Sequence, residues 1–322
     1  MNRLKRWFCY AQFFFLSTSF YLNAPQVHAR GIDTIPGLIR VDSAIHILVV
    51  GDWGVRGELG QKDIAASMAS AVGQLHIPLI ILTGDNFYPS GVNSTTDSHW
   101  VESFLSVYDK KIFKNKWLPV LGNHDYGLNP DAQVEYSRVD SQWYMPARYY
   151  DTSIALGNDS ILMVFLDTES LERQLRGLPP PDGKYSPSYV DDQIAWLKNK
   201  LSSSTAKWKI VTGHHPLHTG GSRRHNSRVK KLRRLLQPIF HENNVTLYLA
   251  GHEHHLELLK PKGPTYYVIS GGGHEARHVG MLKFHRKFAK RSKGYAILSI
   301  SQQQTVLQFI NDKKEVLYRY RF

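Results

Sequence analysis

The sequence of 322 residues contains one cysteine, Cys9. A single cysteine cannot form a disulfide within the chain, and it also excludes cysteine-ligated zinc sites and iron–sulfur clusters. Acidic residues are scarce relative to basic ones, with 27 Asp plus Glu against 40 Lys plus Arg and a formal net charge of +13. Such a balance favours anionic partners, namely phosphate esters, nucleic acid or an acidic membrane surface. The sixteen histidines remain as candidate metal ligands.

Long apolar runs are absent after the N-terminal region. Basic residues within 3–6 precede an apolar run over 7–16. Polar residues follow, and the segment Val27-His28-Ala29 then offers a cleavage site before Arg30. This is the pattern of a secretory signal peptide, and the run is shorter than the roughly 20 residues that a helix needs to span a bilayer. We predict a signal peptide over 1–29, with a retained anchor as the alternative. Export would place the protein outside the cell, in the periplasm or in a lysosome-like compartment.

The remaining chain is rich enough in apolar residues to bury a large core, with 42% hydrophobic content. Short β-branched runs alternate with amphipathic stretches, a pattern that predicts βαβ units followed by strands alone. We expect one α/β domain over 30–322, with two packed mixed sheets and flanking helices in a core of about 45–322. The predicted strands are 45–50, 79–82, 118–121, 161–166, 209–212, 246–250, 266–270, 295–300, 305–310 and 316–320, and the predicted helices are 61–75, 99–108, 130–139, 188–201 and 228–240.

Five short turns at predicted strand ends combine a glycine with potential metal ligands. Glycine lets the backbone bend sharply, and open α/β sheets place their sites at the carboxyl ends of strands. Each turn alone is explained equally well as a helix cap or a loop, but five together are not. The turns are Gly51-Asp52-Trp53-Gly54, Gly84-Asp85-Asn86-Phe87-Tyr88, Gly122-Asn123-His124-Asp125, Gly213-His214-His215-Pro216 and Gly251-His252-Glu253-His254-His255.

The candidate ligands divide by chemical hardness. Asp52, Asp85 and Tyr88 supply anionic oxygen, which suits a trivalent ion such as Fe(III), and His254 can complete that set. The neutral side chains Asn123, His214 and His252 suit a divalent ion. We nominate Asp85 as the carboxylate that bridges the two metals, a choice that the sequence does not force. Two metals roughly 3.5 to 4 Å apart are typical of phosphoryl-transfer hydrolases.

The order of the five turns resembles that of the purple acid phosphatases, in particular the small tartrate-resistant type, among the calcineurin-like metallophosphoesterases. The resemblance extends from about Ile45 to Phe322 and implies a four-layer α/β/β/α sandwich. The wider calcineurin-like group has a histidine ligand in the first turn, where this chain has Gly54, and Tyr88 supplies the missing ligand. By the resemblance, Fe(III) is held by Asp52, Asp85, Tyr88 and His254, and a divalent Fe, Zn or Mn ion is held by Asp85, Asn123, His214 and His252.

The resemblance also implies an acid phosphatase that hydrolyses phosphate monoesters with a metal-bound hydroxide as nucleophile. His124 matches the histidine that protonates the leaving alkoxide, and Asp125 is a candidate to orient it. A second substrate-side histidine is expected soon after the fourth turn. His218 and His225 are both candidates there, and we prefer His225. The fourth turn also carries His215 where small members commonly have an aromatic residue.

Two segments hold much of the positive charge, with seven Lys or Arg over 223–234 and six over 283–293. They are explained either as solvated surface or as steering and adhesion surfaces for anions. The expected partners are small phosphate esters, with phosphoproteins or nucleotides as further candidates and a monomer as the expected state. The functional alternatives are a phosphodiesterase or nucleotide hydrolase with the same metals, and a basic protein that binds nucleic acid or a surface and keeps a vestigial site.

Overall fold

The computed structural model describes residues 34–179, 186, 188–280 and 285–322. The predicted signal peptide and Cys9 lie outside the described residues, and so do residues 283 and 284 of the second basic segment. Among the residues that are described, none of the helices combines the length and the apolar character that crossing a membrane requires.

The described chain forms thirteen strands, five α-helices, a short π-helix at Trp100–Leu105 and a 3-10 turn at Asp125–Gly127. The α-helices are α1 (Gln61–Gln74), α2 (Asp131–Tyr136), α3 (Thr168–Leu175), α4 (Tyr189–Ser203) and α5 (Ser227–Glu242). The strands are β1 (Ile45–Val50), β2 (Leu79–Leu82), β3 (Lys116–Pro119), β4 (Tyr150–Leu156), β5 (Asp159–Phe165), β6 (Trp208–Thr212), β7 (Leu247–Ala250), β8 (Leu256–Leu259), β9 (Tyr266–Ser270), β10 (Arg286–Lys290), β11 (Gly294–Ile300), β12 (Thr305–Asn311) and β13 (Val316–Arg321).

The strands make two mixed sheets. The first has the order β13-β12-β11-β1-β2-β3, in which β1, β2 and β3 run parallel and β11 to β13 are antiparallel neighbours. The second has the order β10-β8-β9-β7-β6-β5-β4, with β5, β6, β7 and β9 parallel. The predicted architecture of two packed mixed sheets flanked by helices is therefore confirmed.

Strand β5 shows how the layers are built. Its side chains alternate between the two faces of the sheet, as a strand requires. Ile161, Met163 and Phe165 join the core that lies with the first sheet, whereas Leu162 and Val164 pack in a second core with residues of α3, α4 and α5. This strand is consequently apolar along most of its length, which is why the sequence marks it clearly.

The elements that the sequence did not predict are β4, β8, β10 and α3. β4 and β10 are the edge strands of the second sheet, and both carry many polar residues that are partly or fully exposed. Charged residues on an edge strand prevent pairing with other chains, but they also hide the strand from a search for apolar runs. The predicted helix over 99–108 is shorter and of the π type, and the strand predicted over 118–121 ends at Pro119.

Candidate metal centre

The parallel strands bring the five glycine turns to one place. Asp52 and Asp85 follow β1 and β2 in the first sheet, while His214 and His252 follow β6 and β7 in the second. Because β1 pairs in parallel with β2, and β6 with β7, their carboxyl ends lie at a common edge.

The first predicted ligand set converges on the hydroxyl of Tyr88. This oxygen lies 3.1 Å from Asp52 Oδ1, 3.0 Å from Asp85 Oδ2 and 3.3 Å from His254 Nε2. His254 Nε2 also lies 3.3 Å from Asp52 Oδ1. Four donor atoms from three turns therefore surround one point.

The second predicted set converges on His214 Nε2. This atom lies 3.2 Å from Asn123 Oδ1, 3.0 Å from His252 Nδ1 and 3.3 Å from Asp85 Oδ2. The structure thus brings all seven predicted ligands into two adjoining clusters. Asp85 Oδ2 belongs to both of them, which is the position that a bridging ligand would need.

Hydrogen bonds within the protein fix several of these donor atoms. Asp52 Oδ2 accepts the backbone N–H of His252 at 2.9 Å, and Asp85 Oδ1 accepts the backbone N–H of His124 at 2.8 Å. His214 Nδ1 lies 2.8 Å from the carbonyl of Thr83, which can only accept, so Nδ1 carries the hydrogen. Nε2 of His214 is therefore the nitrogen that faces the cluster, and it offers a lone pair once its proton is lost.

Two glycines of the turns leave no room for a side chain. A Cβ atom on Gly122 would lie 2.2 Å from Asp85 Oδ1, and one on Gly251 would lie 2.5 Å from Asp52 Oδ2. At both positions glycine is required because the backbone passes close to a carboxylate oxygen.

The electrostatics of the cluster show that it suits cations. Burial raises the pKa of Tyr88 well above its usual value, and the carboxylates of Asp52 and Asp85 raise it further. Burial acts to lower the pKa of His214, but the charge of Asp85 outweighs it and raises that pKa to about 9. The protons on Tyr88 and His214 thus balance the buried carboxylates. Metal ions can replace those protons, so the donor set fits a pair of metals.

Burial also acts to raise the pKa of Asp85, but His214 outweighs that effect and holds the pKa well below its usual value. Burial lowers the pKa of His252 well below its usual value, and His215 and His214 lower it further. Asp85 is therefore ionised and His252 is neutral. Both are the protonation states that a ligand requires.

His124 lies at the edge of the cluster. Its Nδ1 is 2.6 Å from the carbonyl of Pro89, its Nε2 is 4.0 Å from Asp85 Oδ2, and 37% of its side chain is exposed. Asp125 forms no hydrogen bond with the ring of His124. Its buried carboxylate accepts backbone N–H groups of Asn86, Phe87 and Gly122 and so ties the second turn to the third.

The structure does not bring His218 or His225 to this cluster. His225 Nε2 accepts a hydrogen bond from Arg224 at 3.0 Å, and His218 Nε2 lies 2.9 Å from Gln237 Oε1. Both line a separate cavity. The histidine beside the second set is His215, whose ring centroid lies 4.5 Å from that of His252.

His215 lines a cavity of about 220 Å³ that Asn123 and His252 also line. Its Nε2 lies 3.5 Å from Glu169 Oε2. The other charged residues that line this cavity are Glu172, Arg176, Arg223 and Arg228. Glu169 was not among the predicted site residues, because α3 was not predicted.

Two residues after the fifth turn also reach the first ligand set. His274 Nδ1 lies 2.6 Å from the carbonyl of Asp52, and its ring centroid lies 4.8 Å from that of Tyr88. Glu275 Oε1 lies 3.1 Å from His254 Nδ1. A carboxylate beside the distal nitrogen of a ligating histidine is a common way to orient that histidine.

The family model described as calcineurin-like phosphoesterase matches residues 45–256. Purple acid phosphatase 17 of Arabidopsis thaliana is 32% identical over 249 residues, which cover 73% of this chain and 70% of the relative. The tartrate-resistant acid phosphatase type 5 of Homo sapiens is 30% identical over 301 residues, which cover 86% of this chain and 90% of the relative. The chain belongs to the purple acid phosphatases, within the calcineurin-like phosphoesterases.

Solved structures agree with this fold. A purple acid phosphatase from yellow lupin seeds matches with a TM-score of 0.61 at 13% identity over 86% of this chain and 53% of that one. A protein described as GAP50, the anchor in the inner membrane complex of Plasmodium, matches with a TM-score of 0.75 at 23% identity over 87% of this chain and 88% of that one. Membership in the purple acid phosphatases implies a phosphoesterase with a two-metal centre, and the two clusters of side chains are where this chain would hold it.

Proposed function

We propose that the protein is a secreted acid phosphatase that hydrolyses phosphate monoesters with Fe(III) and a divalent Fe, Zn or Mn ion. The observation that carries the proposal is the position of Asp85 Oδ2, which lies 3.0 Å from Tyr88 Oη and 3.3 Å from His214 Nε2. One carboxylate oxygen thus serves two ligand sets of different chemistry.

The two sets suit different metals. Asp52, Asp85 and Tyr88 offer two carboxylates and a phenol, a hard oxygen set that matches Fe(III). Besides the shared carboxylate, the other set offers the amide of Asn123 and the imidazoles of His214 and His252, which match a divalent ion. When bound, the metals would neutralise charge on the phosphate and lower the pKa of water.

His124, which is held in position by the protein, can supply the proton that the leaving alkoxide needs. Because the Pro89 carbonyl can only accept, His124 carries a hydrogen on Nδ1, and its Nε2 is the atom that faces the centre. A proton on Nε2 can pass to the leaving alkoxide as the bond to phosphorus breaks. The exposed edge of His124 leaves room for a leaving group there.

We infer that the substrate binds in the cavity beside the second ligand set. Asn123 and His252 line this cavity, and Arg176, Arg223 and Arg228 contribute positive charge beside Glu169 and Glu172. Small phosphate esters are the substrates that we infer from this size, with phosphoproteins and nucleotides as larger candidates. Secretion rests on the predicted signal peptide, and we infer a monomer.

The first test is the Tyr88→Phe variant. Purified wild type should be purple or pink because tyrosinate on Fe(III) absorbs visible light, and Tyr88→Phe should bleach it. Tyr144→Phe, which changes a tyrosine away from the cluster, should keep the colour. A colourless wild type with full iron occupancy would contradict the assignment of Tyr88.

The second test is a panel of monoesters, diesters, nucleotides and phosphoproteins across acidic and neutral pH, run with metal analysis. We expect the highest kcat/KM for a monoester at acidic pH. A higher kcat/KM for diesters or nucleotides would favour the alternative enzyme. Full metal occupancy without hydrolysis of any substrate would favour a basic nucleic-acid-binding or surface-binding protein with a vestigial site.

A further inference from the structure

A second basic cavity lies apart from the metal centre. Its volume is about 190 Å³, and none of the seven candidate metal ligands lines it. Its polar lining comes from the loop before α5, from α5 itself and from the residue just before β10, in the residues His218, Thr219, Arg224, His225, Arg233 and His285. The lining contains two arginines and three histidines and no acidic residue.

The two arginines of this cavity differ from their neighbours. Arg223 lies 3.5 Å from Glu253, Arg228 lies 3.3 Å from Glu172, and Arg286 lies 3.0 Å from Glu257. Within the described ranges of the chain, no carboxylate lies within 4.0 Å of Arg224 or Arg233. Both are only partly exposed. The paired arginines show that this region supplies counter-ions where the fold needs them.

A partly buried cation without a counter-ion is unfavourable, because it loses hydration and gains no attraction in return. Two such cations beside one cavity also repel each other. A bound dianion would remove both penalties. Guanidinium groups present several N–H donors in a plane, a geometry that matches the oxygens of phosphate.

One histidine adds a donor to the same cavity. His225 Nε2 accepts the hydrogen bond of Arg224 Nε at 3.0 Å, so its Nδ1 carries the hydrogen and can donate. The cavity is much larger than the roughly 10–15 Å³ of probe volume that one water needs, so a compact polyatomic anion fits.

We propose that this cavity is a second anion site, distinct from the metal centre, that binds a phosphate group through Arg224 and Arg233. The phosphate is either free inorganic phosphate, which a phosphatase releases, or a phosphate carried by a larger molecule. Both present the same dianionic oxygens to the arginines.

The test measures how many phosphate ions each protein molecule binds. Labelled inorganic phosphate is dialysed against metal-loaded protein, and against protein stripped of metal, at a constant ionic strength of about 0.15 M. Wild type should bind two phosphates when loaded and one when stripped. Arg224→Gln/Arg233→Gln should bind one and none. Lys230→Gln/Arg234→Gln removes the same charge from exposed positions of α5 that do not line the cavity, and it should bind as wild type does.

Equal phosphate binding by the two double variants would overturn the proposal. So would a large fall in the thermal unfolding midpoint of Arg224→Gln/Arg233→Gln below that of the control variant without phosphate, since it would show that the arginines serve the fold. We expect no such fall, because the substitution removes an unpaired repulsion.

Competition in the stripped protein identifies the source of the phosphate. If a phosphoserine peptide displaces the label at a lower concentration than unlabelled phosphate does, the site serves a phosphorylated partner. The reverse order identifies a site for free phosphate.

Discussion

Replacing Glu169 with glutamine should stabilise the protein at high pH and weaken the pH dependence of its stability. The Glu169 side chain is 10% exposed and lies 3.5 Å from His215 Nε2. Burial raises its pKa from 4.5 to about 7, with further contributions from the charges of Glu172 and Asp167. The folded protein therefore holds the Glu169 proton over a pH range in which the unfolded chain has lost it.

The sign of the effect follows from proton binding. Between pH 4.5 and about 7 the folded state binds more protons at Glu169 than the unfolded state does, so the free energy of unfolding falls as pH rises. At about 1.4 kcal/mol per pKa unit, the difference between the two pKa values corresponds to about 3 kcal/mol above pH 7. Glutamine has no proton to lose. The variant should therefore gain up to about 3 kcal/mol over wild type at high pH, and little at pH 4.5.

Urea unfolding of metal-free wild type and Glu169→Gln, measured at several values between about pH 5 and about pH 8, gives both stabilities without the charge of bound metal ions, which would lower the Glu169 pKa. Glu172→Gln is a comparison on the same helix. Its carboxylate lies 3.4 Å from Arg176 and 3.3 Å from Arg228, so its loss should destabilise the protein at every pH. Because the Glu172 charge also helps to raise the Glu169 pKa, this variant should weaken the pH dependence only in part, whereas Glu169→Gln should remove the contribution of Glu169 entirely. If wild type and Glu169→Gln show parallel stability curves across this range, the carboxylate is not the source of the pH dependence.

The remaining predictions concern the metal centre and the charged surface. His124→Gln should lower kcat by roughly 10²–10⁴-fold with metal content unchanged by elemental analysis, whereas a collapse of metal content would make His124 a ligand. Gly122→Ala should weaken metal binding by roughly 10–100-fold in a chelator competition, because the new Cβ would lie 2.2 Å from Asp85 Oδ1. Steering by the basic segment over 223–234 should make kcat/KM for an anionic substrate fall as ionic strength rises. A rate that ignores salt would exclude steering.

The ligand turns were predictable because a parallel sheet imposes a simple rule. Apolar runs locate β1, β2, β6 and β7, and the first polar side chain after each strand must lie near the same edge of its sheet. The rule needs only the order of the strands. It located candidate ligands in both sheets before the strand pairing was known, although it could not show that Asp85 Oδ2 faces both clusters.

Positions on loops away from strand ends were not predictable in this way. The chain between β6 and α5 is long enough for His218 or His225 to point in several directions. In the structure, packing of the His218 ring on Tyr267 and the bond from Arg224 to His225 orient both side chains toward the second cavity. His215 is the histidine next to the ligands, because it directly follows His214 at the end of β6. A short distance along the chain from the end of a strand therefore indicated which histidine lies next to the ligands.

The two carboxylates of the first ligand set each serve two purposes, and this division explains how the site is held in place. Asp52 uses Oδ2 to accept the backbone N–H of His252 and leaves Oδ1 beside Tyr88. Asp85 uses Oδ1 to accept the backbone N–H of His124 and leaves Oδ2 between the two clusters. Asp52, Asp85 and His252 all have positive φ, at 56°, 51° and 67°, a conformation that costs roughly 1–3 kcal/mol for a residue other than glycine. Charge-assisted hydrogen bonds of about 1.5–3 kcal/mol each are large enough to hold these turns against that cost. Hydrogen bonds within the protein therefore hold these turns in place, and they are made by the same side chains that would ligate the metals.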